Sequence, residues 1–293
     1  MMHYSIIANP VAGTLNIDQK RSVLEPAATL LKADICGLDT TTAQEFASCA
    51  QETAAHCDVL AVAGGDGTLS EIINCVDTAA KTIAYLPLGS GNAMGYALRY
   101  KGGLSDIAIR IRDGGVSTYD LIQCDNQKRA FMASIGIDGQ IIRLRDQFRK
   151  QGITGFKSYV KAIRQAYCGA YFGQYSRPDA RMSIDGREIG EKKVLSLIVT
   201  KQPYFGFGMR VAPGARFDDR RLHIVCINSG SLQSVIGWAT SFTIGNRTGR
   251  HITGRELRVQ LKQPSILQID GDAGWYGDAF AFKVLPRALR LKC

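Results

Sequence analysis

The chain lacks most of the short signatures by which enzymes are usually sorted. Its eight cysteines, Cys36, Cys49, Cys57, Cys75, Cys124, Cys168, Cys226 and Cys293, are irregularly spaced and form no Cys-x-x-Cys pair. Several lie in apolar runs such as Ile72-Ile73-Asn74-Cys75-Val76, so free, mostly buried thiols in a reducing compartment are expected. The four histidines, His3, His56, His223 and His251, show no metal-ligand spacing, which argues against a zinc site. No apolar run approaches the roughly 20 residues that would span a bilayer. The opening Met-Met-His-Tyr-Ser-Ile-Ile has no basic region ahead of a long apolar stretch, so no signal peptide is expected. The expected location is therefore cytoplasmic, with peripheral association as the form of any membrane contact. Neither G-x-x-x-x-G-K-[ST] nor G-x-G-x-x-G occurs, which disfavours the P-loop and Rossmann readings.

What the chain does have is enough apolar sequence to build a core. Of its 293 residues 45% are hydrophobic, which suits two domains or one large one. The formal charge of +10 favours contact with anions, such as nucleotides, nucleic acid or an acidic membrane surface, with a generic basic surface as the bland alternative.

Two rhythms divide the chain. Residues 1 to about 118 alternate strand, loop and helix. Tyr4–Ala8, 35–40, 58–63 and 82–86 read as strands. A helix runs through Ile17, Leu24 and Leu31, with Pro26 expected to kink it or delay its start. Thr42-Ala43-Gln44-Glu45 has the form of a capping box before the next helix. This alternation predicts a parallel sheet covered by helices. From Tyr119 the rhythm turns mostly to strands, with an Asp185-Gly186 hairpin signal and alternating Leu257, Val259 and Leu261. The expectation is an α/β nucleotide-binding domain over 1–125 followed by a β-rich domain over 126–280.

Three small-residue loops end successive strands of the first half: Asn9-Pro10-Val11-Ala12-Gly13, Gly64-Gly65-Asp66-Gly67-Thr68 and Leu86-Pro87-Leu88-Gly89-Ser90-Gly91-Asn92. In a parallel sheet all three fall at the carboxyl edge, where ligands bind. Glycines allow close approach, and backbone N–H groups at the next helix start attract anions. Asp66 cannot attract phosphate itself; it suits a cation or, as the plainer reading, a helix cap.

These loops, with Glu71, resemble the diacylglycerol kinase catalytic family, which includes soluble bacterial lipid kinases, sphingosine kinases and ceramide kinases. The resemblance continues in order through Tyr119-Asp120-Leu121, Ser134-Ile135-Gly136-Ile137-Asp138, Ala212-Pro213-Gly214-Ala215, Asp218-Asp219, Gln268-Ile269-Asp270-Gly271-Asp272 and Val284-Leu285-Pro286. It implies an α/β domain, a β-sandwich domain that binds lipid, and a tail, about 281–293, that returns to the first domain. It also implies ATP and Mg²⁺ as cofactors and transfer of the γ-phosphoryl group to a diacylglycerol-like or sphingoid hydroxyl.

Carried over residue by residue, the nucleotide site comprises Asn9, Pro10, Gly13, Thr40, Gly64, Gly65, Asp66, Gly67, Thr68, Leu69, Ser70 and Ser90. Asp66 and Asp272 are the implied catalytic groups, with Asp120, Asp138 and Asp270 as lesser candidates. A structural metal would sit on the backbone of Arg216 and Arg221 and the carboxylate of Asp219. The chain departs from the family in three places: Asp219-Arg220 replaces the usual Asp-Gly, Asp272 the usual Glu, and Asn92-Ala93 the frequent Asn-Asp. Lipid substrate and an anionic membrane surface are the expected partners, with a homodimer left open and no nucleic acid. Arg143, Arg145, Arg149, Lys150, Lys157, Lys161 and Arg164, interleaved with Ile153, Phe156, Tyr159 and Val160, form the candidate membrane surface. An NAD kinase-like enzyme and a non-catalytic lipid- or nucleotide-binding protein remain the alternatives.

Overall fold

A computed structural model describes residues 2–153, 155–173, 175 and 177–293. The chain divides into two compact units. The first holds residues up to Asp120 with Gly206–Gly208 and Pro286–Cys293, and the second holds Leu121–Phe205 and Met209–Leu285.

The first unit is an alternating α/β array: β1 (Tyr4–Ala8), α1 (Ile17–Leu31), β2 (Asp34–Cys36), α2 (Ala43–Ala55), β3 (Val59–Gly64), α3 (Asp66–Cys75), β4 (Thr82–Pro87), α4 (Ala93–Ala97) and α5 (Leu104–Asp113). Its strands run β2-β1-β3-β4 and all pair in parallel. β1, β3 and β4 are apolar along nearly their whole length and buried on both faces, as the strands of a helix-covered parallel sheet must be. Leu24, Ala27 and Leu31 of α1 pack with Ile107 and Ile111 of α5 over Ile6, Ala61 and Ala84.

Local chemistry sets the boundaries. Asn16 caps α1, accepting from the Gln19 N–H at 2.8 Å, while the Gln19 side chain accepts from the Asn16 N–H at 3.0 Å. This reciprocal cap starts the helix at Ile17, so the late start expected from Pro26 does not occur. The helix passes through Pro26, which has no N–H to give the Ser22 carbonyl. β2 is shorter than expected because Gly37, at φ 87°, turns the chain after Cys36. The capping box at α2 is half formed: Thr42 accepts from Glu45 N–H, but the Glu45 carboxylate takes the N–H of Thr41.

β5 (Val116–Cys124) leads into the second unit, which contains β6 (Lys128–Ala130), β7 (Met132–Gly136), α6 (Ile137–Lys150), α7 (Gly155–Tyr171), β8 (Ala180–Ile184), β9 (Arg187–Glu191), β10 (Ser196–Thr200), β11 (Leu222–Ile227), α8 (Ser231–Ser241), β12 (Arg250–Gly254), β13 (Glu256–Ile269) and β14 (Asp272–Lys292). Its pairing is antiparallel along β12-β11-β10-β7-β13-β14, with β8 paired to β13 and β9 to β8. Asp185 and Gly186, both at positive φ, close the β8–β9 hairpin as anticipated. β13 pairs with β8 over Leu257–Leu261 and with β7 over Leu267–Ile269. A register irregularity between Gln260 and Ser265 lets one strand serve two layers around a core that includes Met182, Leu197, Ile224, Val259 and Phe282. The last residues of β14 belong to the first unit, where Arg290 and Leu291 pair in parallel with Thr82 and Ile83 of β4.

None of the eight cysteines forms a disulfide, but only Cys57, Cys124 and Cys226 are buried, fewer than their apolar neighbours suggested. Cys168 lies on the outer face of the amphipathic α7 and is exposed. Among the described residues no helix is long and apolar enough to cross a membrane.

Candidate active site

The parallel register places the ends of β1, β3 and β4 level, pairing Ala8 with Ala63 and Gly64 with Pro87. The three loops that leave these ends are tied to one another. The Asn9 N–H donates to the Ala63 carbonyl at 3.1 Å, and its side-chain amide donates to Thr68 Oγ1 at 3.1 Å. The Leu88 N–H donates to the Gly64 carbonyl at 2.8 Å. Two contacts admit only glycine. A Cβ on Gly13, at φ 67°, would lie 2.2 Å from the Leu88 carbonyl oxygen, and one on Gly89 would lie 2.4 Å from Gly65 Cα. The third loop closes on itself through Asn92, whose side chain accepts from the Gly89 N–H at 3.0 Å and donates to the Gly89 carbonyl at 2.8 Å.

Asp66 is the first residue of α3, yet it caps a different helix. Its carboxylate accepts the N–H groups of Ala93 at 3.0 Å and Met94 at 3.2 Å, at the start of α4. Burial raises its pKa, and these two bonds offset the rise only in part. The capping reading of Asp66 is thus realised, but across two loops rather than within one.

Asn9, Pro10, Gly13, Gly64, Gly65, Asp66, Gly67, Thr68 and Ser90 come together on these loops. Thr40 sits in the turn after β2, its hydroxyl donating to the Gly37 carbonyl at 2.7 Å. The side chains of Leu69 and Ser70 are 0% and 1% exposed, turned into the interior by the helical phase of α3. Any part they take in nucleotide binding would fall to their backbone or to the Ser70 hydroxyl, which is buried without a hydrogen-bond partner among the described residues.

Three features were missed from sequence. Lys20 is buried on the inward face of α1, where its ammonium donates to the Pro10 carbonyl and so braces the first loop. A lysine in register with Leu24, Ala27 and Leu31 on the apolar stripe was the available signal. Tyr85, fully buried in β4, donates to Asn92 Oδ1 at 3.2 Å. Gly206–Gly208, remote in sequence, docks on the third loop through the Phe207 N–H and the Gly91 carbonyl at 2.8 Å.

The second unit presents Asp272 at the start of β14. Asp270 and Gly271, at φ 48° and 92°, form the two-residue turn from β13. Asp270 anchors that turn, its carboxylate accepting the N–H groups of Met132 at 2.9 Å and Phe131 at 3.1 Å. The buried Arg145 guanidinium donates to the Gly271 carbonyl at 2.7 Å and lies 3.8 Å from Asp272 Oδ1. Asp272 itself remains 58% exposed. Beside it opens a cleft of about 610 Å³ whose lining includes Arg143, Asp146, Gln147, Lys150, Ile266 and Tyr276.

The lesser candidates carry structural bonds. Asp120 accepts the Arg287 N–H at 3.0 Å. Asp138 accepts the Ser196 hydroxyl, and burial pushes its pKa up to about 6. Of the expected basic surface, Arg143, Arg149, Lys150, Lys157, Lys161 and Arg164 are exposed, near exposed Phe156 and Val160. Arg145 is the exception: it is buried beneath the Asp270–Asp272 turn and belongs to no surface.

Known proteins give this geometry a family. Residues 3–124 match the diacylglycerol kinase catalytic domain, and residues 132–293, more than half the chain, match the YegS C-terminal NAD kinase β sandwich-like domain. The chain belongs to the diacylglycerol kinase catalytic domain family. It is 25% identical over 286 residues to a diacylglycerol kinase of Staphylococcus aureus strain RF122, covering 93% of this chain and 85% of the relative. A Staphylococcus carnosus diacylglycerol kinase is 24% identical over 227 residues, covering 74% of this chain and 71% of that one. A crystal structure of a diacylglycerol kinase from Bacillus anthracis str. Sterne shares the fold, with a TM-score of 0.75 at 19% identity over 99% of this chain and 96% of that one. An ATP-bound NAD kinase of Archaeoglobus fulgidus has the same architecture more loosely, with a TM-score of 0.52 at 12% identity over 99% of this chain and 93% of that one. The fold is thus an α/β domain with parallel strands followed by a β sandwich-like domain. The family is one of lipid kinases, which use ATP.

Proposed function

We propose that the protein transfers the γ-phosphoryl group of ATP to the hydroxyl of a diacylglycerol-like or sphingoid lipid. The observation that carries this reading is the mutual locking of three small-residue loops at one edge of the parallel sheet. Phosphoryl transfer depends mainly on positioning and charge stabilisation. The backbone around Gly64–Thr68, at the N-terminus of α3, supplies N–H groups for phosphate oxygens. Asn9, tied to Thr68, and Lys20, under Pro10, keep the first loop in register with the second.

Mg²⁺ bound with the nucleotide would neutralise phosphate charge. Asp66 suits it, since each carboxylate oxygen has one backbone donor and retains lone-pair capacity. Asp272 is proposed as the base that takes the acceptor hydroxyl's proton; its support is an exposed carboxylate on an anchored turn. The adjoining cleft, lined by charged side chains of both signs and by apolar ones, suits a lipid with a polar head. The exposed basic residues of α6 and α7, with Phe156 and Val160, are proposed to rest on an anionic membrane.

The test is γ-labelled ATP incubated with diacylglycerol, sphingoid, ceramide and glycerophospholipid acceptors, with NAD as a further arm. Label in one lipid class supports the proposal and names the acceptor. Label in NAD alone establishes the NAD kinase reading. ATP binding without label in any acceptor establishes a non-catalytic binder.

A further inference from the structure

The segment between β10 and β11 is where the family resemblance implies a structural Mg²⁺, on the backbone of Arg216 and Arg221 and the carboxylate of Asp219. In this chain a side-chain cation already stands there. Lys201, the first residue after β10, is 0% exposed. Its Nζ donates to Asp219 Oδ1 at 2.6 Å and to the Arg221 carbonyl at 2.7 Å. Asp219 Oδ1 also accepts the Arg221 N–H at 3.1 Å, and Oδ2 faces His223 Nε2 at 2.7 Å. Both carboxylate oxygens and the Arg221 carbonyl are therefore engaged.

This donor set does not fit the ion. Mg²⁺ requires oxygen ligands at about 2.0–2.1 Å in near-octahedral array. To reach Asp219 and Arg221 it would have to displace an ammonium that holds the same two groups, and the two cations would repel at contact distance. Arg220 adds a second observation. It adopts φ 57°, the left-handed conformation that the family's usual glycine takes without cost. The loop has kept its turn while losing both the glycine and the room for a metal.

We propose that the Lys201 ammonium replaces the structural metal, so that the 212–221 segment is fastened to β10 and β11 by an internal ion pair and takes no divalent cation. A dry, paired ammonium satisfies the carboxylate and carbonyl that a metal would otherwise bridge. The protein then needs divalent cation only where nucleotide brings it.

Thermal unfolding of the full chain without nucleotide, in EDTA and in millimolar Mg²⁺, tests this. The wild-type melting temperature is expected to agree between the two within about 1 °C. Lys201→Met strands the Asp219 charge and should lower it by about 5–10 °C, with at least half recovered in Lys201→Met/Asp219→Asn. A wild-type melting temperature that rises with Mg²⁺, and no longer does so in Asp219→Asn, overturns the proposal. So does Lys201→Met melting like wild type. Should that variant not fold, elemental analysis of wild-type protein purified without chelator decides: one Mg²⁺ per chain overturns the proposal, and none upholds it.

Discussion

Asp66→Asn separates the capping role that the structure shows for this carboxylate from the metal–phosphate role proposed for it. Wild-type Asp66 accepts the N–H groups of Ala93 and Met94, one on each oxygen. Asparagine keeps one acceptor and turns an NH₂ towards the other N–H. Leaving that N–H unsatisfied costs about 1–3 kcal/mol. Relief of a charge whose pKa burial has raised returns part of this, so the lower half of the range is expected. At roughly 2–4 °C per kcal/mol for a chain of this size, melting should fall by about 2–8 °C, leaving a folded protein at 25 °C. If Asp66 also holds the metal–phosphate group, turnover should drop far more than this loosening explains, by about 10²-fold or more. The assays are circular dichroism melts, calorimetric ATP titration and label transfer on the same preparations. An unchanged melting temperature refutes the capping argument. Near-normal turnover in the folded variant refutes the catalytic one.

Asp272→Ala should reduce turnover by about 10²–10⁴-fold while calorimetry shows ATP binding largely kept; full turnover would place the base elsewhere. Asp138 makes stability pH-dependent. Folded Asp138 holds its proton up to about pH 6, whereas the usual carboxyl loses it near 3.8. The folded state therefore binds more protons between these values, and its stabilisation, full below the lower one, is lost as pH rises through the upper, by at most roughly 3 kcal/mol. Melts at pH 4.5 and pH 7 should differ less in Asp138→Asn than in wild type; an equal difference removes Asp138 as the cause. Binding to anionic vesicles, measured by cosedimentation, should weaken at least about tenfold between low and high salt, because each basic residue at the surface contributes about 1 kcal/mol that salt screens. Equal binding at both salts counts against a membrane role for α6 and α7.

The alternation of β1 to α5 was legible because buried parallel strands and amphipathic helices leave strong apolar periods. The three loops were legible because glycine marks backbone that must approach other backbone, as at Gly13 and Gly89. Less visible was whatever depends on a partner far along the chain. Asp66 reads as a cap for its own helix, and only folding brings Ala93 to it. Lys20 and Lys201 were not singled out: the apolar stripe of α1 hinted at Lys20, but nothing local to Lys201 announces a buried ammonium whose carboxylate partner lies elsewhere. Arg145 was grouped with its exposed neighbours for the same reason: one turn of α6 decides which arginine faces inward. The Asp219-Arg220 departure was visible, but its meaning required the position of Lys201.

β14 has a consequence for how the protein is made. The parallel edge of β4 is covered by Arg290 and Leu291, about two hundred residues downstream. On the ribosome, strands β1 to β4 can assemble early, but β4 must wait with its hydrogen-bonding edge open while the entire second unit is synthesised. An open strand edge is a template for pairing with other chains. Nascent protein should therefore depend on chaperones most between the emergence of Pro87 and that of Leu291. A stall or slow codon late in the message would lengthen the most aggregation-prone interval of its synthesis.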